Sequence, residues 1–398
     1  MSLGRQTTLR LCLPAIAVLV AVALLVAPDR AAARKAPAVL SPVAFSIADP
    51  PQPVLATDGR MHLAYEVRFA NQSDLEVGVV SIQARTRGRA IGARFRGAAL
   101  ESIMRVDGGY EGLTIPPGGS GTIFMDVAYS PKRQAPRALL HRIALVGQPP
   151  GQPAAQQGFA FTGVPTGVAR RRAIEVATPL RGPRWVVANG CCSPPNAHRA
   201  ATLAIDGTVH APERFAIDFV QLDRAGRLFS GPLDLNSSYA FFGAPVLSAT
   251  AGTVVDVRDG LPEQTPGALP VGATIQNAGG NHVVVRIGPG RFAFYAHLQP
   301  GRIAVEEGDR VRVGQVLGRL GNTGNTDGAH LHFHIMDSPS PLEANGLPFT
   351  FTTMRGEGRL TEPGLLQTGA VVPIDRAAFS GRRQGQMPLG DQLVGFPR

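Results

Sequence analysis

Residues 321–337 read GNTGNTDGAHLHFHIMD, and this stretch decides the fold of the chain around it. In it, histidines alternate with large apolar residues: His330, His332 and His334 with Leu331, Phe333 and Ile335. Strict alternation predicts a β-strand, because successive side chains of a strand point to opposite faces. One face therefore packs into an apolar core, while the other carries three imidazoles. Imidazole is the commonest metal ligand and titrates near neutrality, so this face is a candidate metal or proton-transfer site.

A second candidate lies in residues 214–220, RFAIDFV. Phe215, Ile217 and Phe219 share one face of the predicted strand, and Asp218 lies on the opposite face. A carboxylate within an apolar strand is costly unless it is paired or binds a metal. We therefore expect Asp218 to have a partner.

Seven short motifs downstream of Asp218 follow the order found in lysostaphin-type (LytM-type) zinc metallopeptidases, and residues 190–350 resemble that family. The motifs are GAPV at 243–246 with Gly252 and Val254, GNHV at 280–283, YAHL at 295–298, GDRV at 308–311, GQVLG at 314–318, GNTG at 321–324 and HLHF at 330–333. The resemblance implies a small barrel-like antiparallel β domain. It also implies hydrolysis of peptide bonds in bacterial peptidoglycan by one Zn²⁺.

The resemblance assigns roles to individual residues. Asp218 and His332 are the implied metal ligands, and His297 and His330 are the implied catalytic imidazoles. A histidine upstream of Asp218 completes the metal set, and this chain offers His198 and His210. We favour His198, because NAHR at 196–199 followed by RFAID resembles a subset of the family. His210 is the alternative.

Two further histidines carry expectations of their own. The family usually has Glu at the position of His334, so the support of the histidine strand differs in this chain. His282, at the start of a predicted strand, is expected to be a polar surface residue, with a place in the groove as the alternative.

The regions outside the resemblance have other patterns. Residues 37–164 contain short alternating segments bounded by turn residues, which predicts an immunoglobulin-like β-sandwich that acts as a spacer or as a wall- or partner-binding module. Residues 165–190 are expected to form a connector, residues 191–350 the peptidase domain, and residues 351–398 a loop-rich extension with weak strands.

Residues 1–33 resemble an export signal, with Arg5 and Arg10 before an apolar run and alanines at 31–33. We expect an exported protein in the periplasm, the cell envelope or the medium; an uncleaved signal would instead anchor it to a membrane. Export favours a disulfide, and the adjacent Cys191 and Cys192 could pair with each other, link two chains or stay reduced.

The chain has a formal charge of +10, which suits an anionic extracellular polymer such as the cell wall. Export and the lack of a clustered basic stripe with stacking aromatics argue against nucleic acid as a partner. Three functions compete. The first is an active exported zinc endopeptidase of the wall, the second is an inactive wall-binding protein or activator of another wall hydrolase, and the third is a purely structural exported β protein. Retention of the implied ligands favours the first.

Overall fold

The computed structural model describes residues 38–192 and 195–397, so the predicted signal at 1–33 lies outside the described residues. These residues are mainly β, as the sequence predicts. The strands are β1 Val43–Ser46, β2 Pro53–Leu55, β3 Met61–Asn71, β4 Glu76–Thr86, β5 Arg89–Phe95, β6 Met104–Val106, β7 Thr114–Ile115, β8 Ser120–Asp126, β9 Ala138–Gln148, β10 Gln157–Gly167, β11 Ile174–Val176, β12 Gly182–Ala188, β13 Leu203–Ile205, β14 Thr208–His210, β15 Ile217–Gln221, β16 Pro245–Leu247, β17 Gly252–Arg258, β18 Asn281–Gly288, β19 Arg291–Leu298, β20 Arg310–Val311, β21 Val316–Arg319, β22 Leu331–Met336, β23 Gly346–Leu347, β24 Phe349–Phe351, β25 Met354–Leu360, β26 Ile374–Arg383 and β27 Gln392–Phe396. The α-helices are α1 Ala98–Glu101 and α2 Ala197–Ala200, and short 3-10 turns lie at Pro153–Ala155, Asn236–Ser238 and Pro363–Thr368.

The first ten strands form two five-stranded sheets. One has the order β1-β3-β8-β6 with β2 on β3, and the other β10-β9-β4-β5 with β7 on β4. Their pairings are antiparallel, and alternate residues of β3, including Tyr65 and Val67, share one apolar core with residues such as Ile82 and Ile143 of the other sheet. This is the sandwich architecture that the alternating segments predict. Its immunoglobulin-like type stays a prediction.

The remaining chain is organised around an eleven-stranded antiparallel sheet. Its strand order is β20-β17-β18-β19-β22-β15-β12-β27-β25-β26, with β23 on β22. The histidine strand β22 lies between β19 and β15, and Leu331, Phe333 and Ile335 are buried in the apolar core on one side. The alternation predicted for residues 330–335 is therefore present. Its registers place His332 opposite both Asp218 of β15 and Ala296 of β19.

Two regional expectations are wrong in detail. The expected connector contributes β12, which lies between β15 and β27 inside the large sheet with Trp185 buried. The expected loop-rich extension contributes β25, β26 and β27, and all three strands belong to the same sheet. In β25, buried Met354, two buried glycines and Leu360 alternate with Arg and Glu. Because glycine adds little to an apolar pattern, this period of two is easily missed in the sequence.

Cys191 and Cys192 follow β12, and the first of them contacts the C-terminal part of the chain. Cys191 and Cys192 form a disulfide with each other, which is the vicinal pairing among the three possibilities. The Cys191 carbonyl accepts a hydrogen bond from Gly390 N at 3.2 Å. Across residues 38–192 and 195–397, no helix has both the length and the apolar character needed to cross a membrane.

Candidate metal and catalytic site

Asp218 and His332 meet because β15 and β22 are paired with these two residues opposite each other. His332 Nδ1 lies 3.0 Å from Asp218 Oδ1, and both side chains are buried. The partner that the sequence required for the carboxylate is therefore a cluster of imidazoles, since Asp218 also contacts His198 and His330.

His198 reaches this pair from the four-residue helix α2, which Asn196 caps by accepting a hydrogen bond from Arg199 N. His198 Nδ1 lies 3.0 Å from Asn189 O and 3.1 Å from Ala216 O. Carbonyl oxygens only accept, so Nδ1 carries the hydrogen and Nε2 is left facing Asp218 Oδ2 at 3.1 Å. Once Nε2 has lost its proton, an imidazole held in this way offers the Nε2 lone pair to a metal.

Backbone carbonyls also fix the ring orientations of His297 and His330. His297 Nδ1 lies 2.6 Å from Thr323 O, and His330 Nδ1 lies 2.9 Å from Gly328 O, so each ring turns Nε2 toward the site. Their ring centroids are 4.5 Å apart. His297 has a φ of 63°, a left-handed conformation that is strained for histidine and is typical of functional positions.

The loop that carries Thr323 is held close to β18 by two glycines. Gly280 and Gly324 both have positive φ, and a β-carbon on Gly280 would overlap Thr323, while one on Gly324 would overlap Gly280. Glycine at these two positions lets the backbones approach closely enough for the Thr323 carbonyl to fix His297.

Asn189 is a site residue that the sequence reasoning missed. Its side chain donates to Asp218 Oδ2 at 2.8 Å, while its carbonyl accepts from His198 Nδ1. One residue at the end of β12 therefore orients two candidate ligands. The available signal was an asparagine next to a glycine, which by itself indicates only a turn.

His334 takes the place of the carboxylate that the family usually has on this strand. Its Nδ1 lies 2.9 Å from His332 Nε2. Burial, together with His332 and His198, holds the pKa of His334 well below its usual value, so the ring is neutral. A neutral His334 can accept the Nε2 hydrogen of His332, which leaves His332 Nδ1 free to act as a ligand beside Asp218.

The electrostatics of the site follow from burial and from Asp218. Burial lowers the pKa of His198, but the Asp218 carboxylate raises it to about 9, and the same carboxylate raises the pKa of His330 against burial. Burial acts to raise the pKa of Asp218, but His198 and His330 hold it well below its usual range. Burial and the imidazoles of His330 and His332 lower the pKa of His297 well below its usual value. Asp218 is therefore ionised and His297 neutral.

Two overlapping sets of donor atoms lie within 4.8 Å of one another: His198, Asp218 and His332, and His297, His330 and His332. A tetrahedral metal with bonds of 2.0–2.1 Å needs ligand atoms about 3.3 Å apart. In the first set, His198 Nε2 lies 3.1 Å from Asp218 Oδ2, and His332 Nδ1 lies 3.0 Å from the other carboxylate oxygen, Oδ1. That set also supplies a negative charge, so its residues fit a divalent cation.

His210 and His282 differ in their distance from the site. His210 ends β14 in a separate two-stranded hairpin and belongs to no candidate metal group in the described ranges. His282 is buried rather than a surface residue: its Nε2 lies 3.0 Å from Asp256 Oδ2, and its Nδ1 lies 2.9 Å from Gly280 O. It lines the same cavity as the metal candidates.

This cavity has a volume of about 930 Å³ and is open to solvent. Its lining includes His198, Asp218, His297, His330 and His332. Two further segments also line it, one with Leu269, Ile275, Gln276, Ala278 and Gly279, and the other with residues 339–343. The cavity therefore brings the candidate metal and catalytic residues together with two loop segments, and it is large enough for a ligand.

Comparison with known proteins finds a family match for part of the chain. Residues 237–344 match the model of peptidase family M23. This region is a peptidase M23 domain of the lysostaphin (LytM) type, as the resemblance in sequence predicts. His198 and Asp218 precede the matched residues, while His297, His330 and His332 lie within them.

The curated relatives match over a short part of their length. Peptidoglycan DD-endopeptidase ShyA of Vibrio cholerae is 32% identical over 90 residues, which are 19% of this chain and 20% of ShyA. DD-carboxypeptidase/endopeptidase Mpg of Neisseria meningitidis is 31% identical over 118 residues, which are 30% of this chain and 23% of Mpg. Among solved structures, the catalytic domain of the antimicrobial peptidase lysostaphin from Staphylococcus simulans aligns with 41% of this chain and 88% of that chain, at 23% identity and a TM-score of 0.23.

Proposed function

We propose that this chain is an exported, zinc-dependent endopeptidase that hydrolyses peptide bonds of bacterial peptidoglycan. The observation that carries the proposal is the convergence of His198, Asp218 and His332 on one point, with His297 and His330 beside them. The M23 match supports peptide hydrolysis, and the printed names of ShyA and Mpg support peptidoglycan as the substrate class. The proposed location is outside the cytoplasm, in the periplasm, envelope or medium.

In the proposed assignment, His198 Nε2, Asp218 and His332 Nδ1 hold the zinc. A zinc ion held by three protein ligands polarises a carbonyl and lowers the pKa of a water molecule to about 7. The carbonyls of Asn189 and Ala216 orient His198, and His334 orients His332. These partners leave one nitrogen of each ligating ring free for the metal.

His297 and His330 are assigned to proton transfer. Backbone carbonyls fix the Nδ1 hydrogen of each ring, so both rings present Nε2 to the cavity. One imidazole can take the proton of the attacking water, and the other can give a proton to the leaving amine. The chain thus uses a pair of histidines where other zinc peptidases use a glutamate.

The open cavity and the charge of the chain support a polymeric substrate. In the proposed complex, a peptide strand lies in this cavity with its scissile carbonyl next to His198, Asp218, His297, His330 and His332, all of which line it. A net charge of +10 attracts a polyanionic wall at long range.

The test measures zinc and hydrolysis together. Purified protein is analysed for bound zinc by elemental mass spectrometry, then incubated with purified peptidoglycan, and the released fragments are weighed by mass spectrometry. We expect about one zinc per chain and new peptide ends, both lost in Asp218→Ala and both kept in the control His210→Ala. Zinc binding without any cleavage would support the alternative, a wall-binding protein or an activator. Absence of zinc binding would refute the proposed site.

A further inference from the structure

The face of the sandwich that points away from its own core makes a buried ionic contact with the segment that carries His198. Along β3, Tyr65 and Val67 face the sandwich core, so Glu66 between them faces the opposite way. There Glu66 meets Arg199 and Arg214 of the peptidase half. These three side chains are 9%, 1% and 8% exposed, respectively.

Both arginines in this contact lie close in sequence to candidate metal ligands. Arg199 directly follows His198 in α2, and Arg214 lies two residues before Ala216, whose carbonyl holds His198 Nδ1, and four before Asp218. Glu66 Oε1 accepts from Arg199 Nη1, and Glu66 Oε2 accepts from Arg214 Nε at 2.8 Å. One carboxylate therefore joins the two segments that bring the upstream candidate ligands together.

Other sandwich residues support the same helix. Arg199 Nη2 donates to Met125 O at 3.3 Å, and its guanidinium lies 5.8 Å from the centre of the Phe124 ring. Arg105 of β6 donates to the carbonyl of Ala200 and to Thr202 Oγ1, both at 2.7 Å. These contacts reach the C-terminal half of α2 and Thr202 just beyond it.

The local sequence alone does not hold α2 in place. A helix of four residues is a single turn, too short to be stable by itself. Two guanidinium groups buried beside it are costly unless a carboxylate compensates them. Burial acts to raise the pKa of Glu66, but Arg214 and Arg199 lower it below its usual value, so Glu66 is ionised and supplies that charge. Asp49 contributes a second carboxylate to Arg214 only, at 3.0 Å.

We propose that Glu66 of the sandwich is a positioning residue for the metal site: by binding Arg199 and Arg214 together, it sets His198 against Asp218. The sandwich then completes the peptidase site in addition to any spacer or wall-binding role. The inference rests on the proposed function, because it concerns the zinc ligands assigned there.

The test compares Glu66→Gln with Tyr65→Phe. Glutamine keeps the shape of Glu66 but removes its charge and turns an amide donor toward an arginine. Tyr65→Phe is the matched control: it removes a buried hydrogen bond to His141 Nε2, 2.7 Å long, from the next residue of the same strand on the sandwich-core side. Both substitutions should lower the Tm, so loss of stability alone does not distinguish them.

Zinc affinity separates the two variants. We expect Glu66→Gln to raise the zinc Kd by roughly tenfold or more, as loss of an outer partner of a metal ligand does, and to alter the visible spectrum of the Co²⁺-substituted protein. Tyr65→Phe should keep the wild-type Kd and spectrum. Wild-type affinity and spectrum in a folded Glu66→Gln, with only the Tm lowered, would overturn the inference.

Arg105→Ala provides a second variant at an exposed contact to the same helix. It should also raise the zinc Kd, but by less than Glu66→Gln does. If Glu66→Gln does not fold, an unchanged zinc Kd in Arg105→Ala overturns the inference. If the wild-type protein itself binds no zinc, the proposed function fails and the inference falls with it. If the wild-type protein binds zinc and neither variant weakens that binding, the inference fails while the proposed function stands.

Discussion

Asn189 offers a sharp test of how the zinc ligands are held, because it contacts both Asp218 and His198. Its side chain donates to Asp218 Oδ2 at 2.8 Å, and its carbonyl accepts from His198 Nδ1 at 3.0 Å. Its φ is 50°, in the left-handed region that asparagine tolerates and glycine adopts freely. Asn189→Gly therefore removes the side-chain hydrogen bond without straining the backbone, and it leaves the carbonyl in place.

A hydrogen bond to a charged group contributes about 1.5–3 kcal/mol, and about 1.4 kcal/mol corresponds to tenfold in a binding constant. We therefore expect Asn189→Gly to weaken zinc binding by about 10- to 100-fold. The free energy of unfolding of the metal-free protein should fall by less, because Asp218 keeps its contacts with His198, His330 and His332.

The assay is competition for zinc with a chromophoric chelator at fixed pH. Asn189→Ala serves as the comparison: it loses the same hydrogen bond but places a β-carbon in the left-handed conformation. It should weaken zinc to a similar degree and lower the stability by about a further 1–2 kcal/mol. A wild-type zinc Kd in folded Asn189→Gly would refute the view that this contact holds Asp218 as a ligand.

Two further predictions address the assigned roles, and a third concerns His62 of β3, which lies 3.0 Å from Asp126 and 3.1 Å from Asp58. His330→Ala should keep zinc and lose peptidoglycan hydrolysis by roughly two orders of magnitude or more, whereas His332→Ala should lose zinc; the opposite pair of results would exchange their roles. His198→Ala should raise the zinc Kd sharply in the chelator assay, and His210→Ala should leave it unchanged, because His198 but not His210 lies beside Asp218. Burial lowers the pKa of His62, but Asp126 and Asp58 raise it above its ordinary value of 6.5, so the stabilising contribution of protonated His62 is complete below pH 6.5 and is lost as pH rises through the folded pKa. The free energy of unfolding measured in urea should therefore decline across this range, and His62→Gln should flatten the decline. An equal decline in that variant would show that His62 is not its cause.

The histidine strand could be predicted because its information is local. The alternation at 330–335 has the period of a strand, and burying Leu331, Phe333 and Ile335 fixes which face the imidazoles take. Asp218 could be assigned a partner for a similar reason, since a carboxylate in an apolar strand needs compensation. The pairing of β15 with β22 places that partner directly opposite, at His332.

The supporting residues could not be predicted in this way. Glu66 and Arg199 are separated by 133 positions, and no local period connects them. Asn189 has the sequence context of a turn, and its role appears only when β12 lies beside β15. The C-terminal strands were expected to be weak because β25 alternates glycine with charged residues, so the strand has the composition of a loop.

The candidate site has two halves with different mechanical support. Asp218, His332 and His297 lie on neighbouring strands β15, β22 and β19, so the hydrogen bonds of the large sheet fix their spacing. His198 lies on a single helical turn, whose position depends on two carbonyls and on arginine contacts with Glu66. A metal needs all three ligands at bonding distance, so its affinity is limited by the less firmly held one. The sandwich therefore bears on the chemistry of the cavity through His198, even though the proposed catalytic residues all belong to the peptidase half.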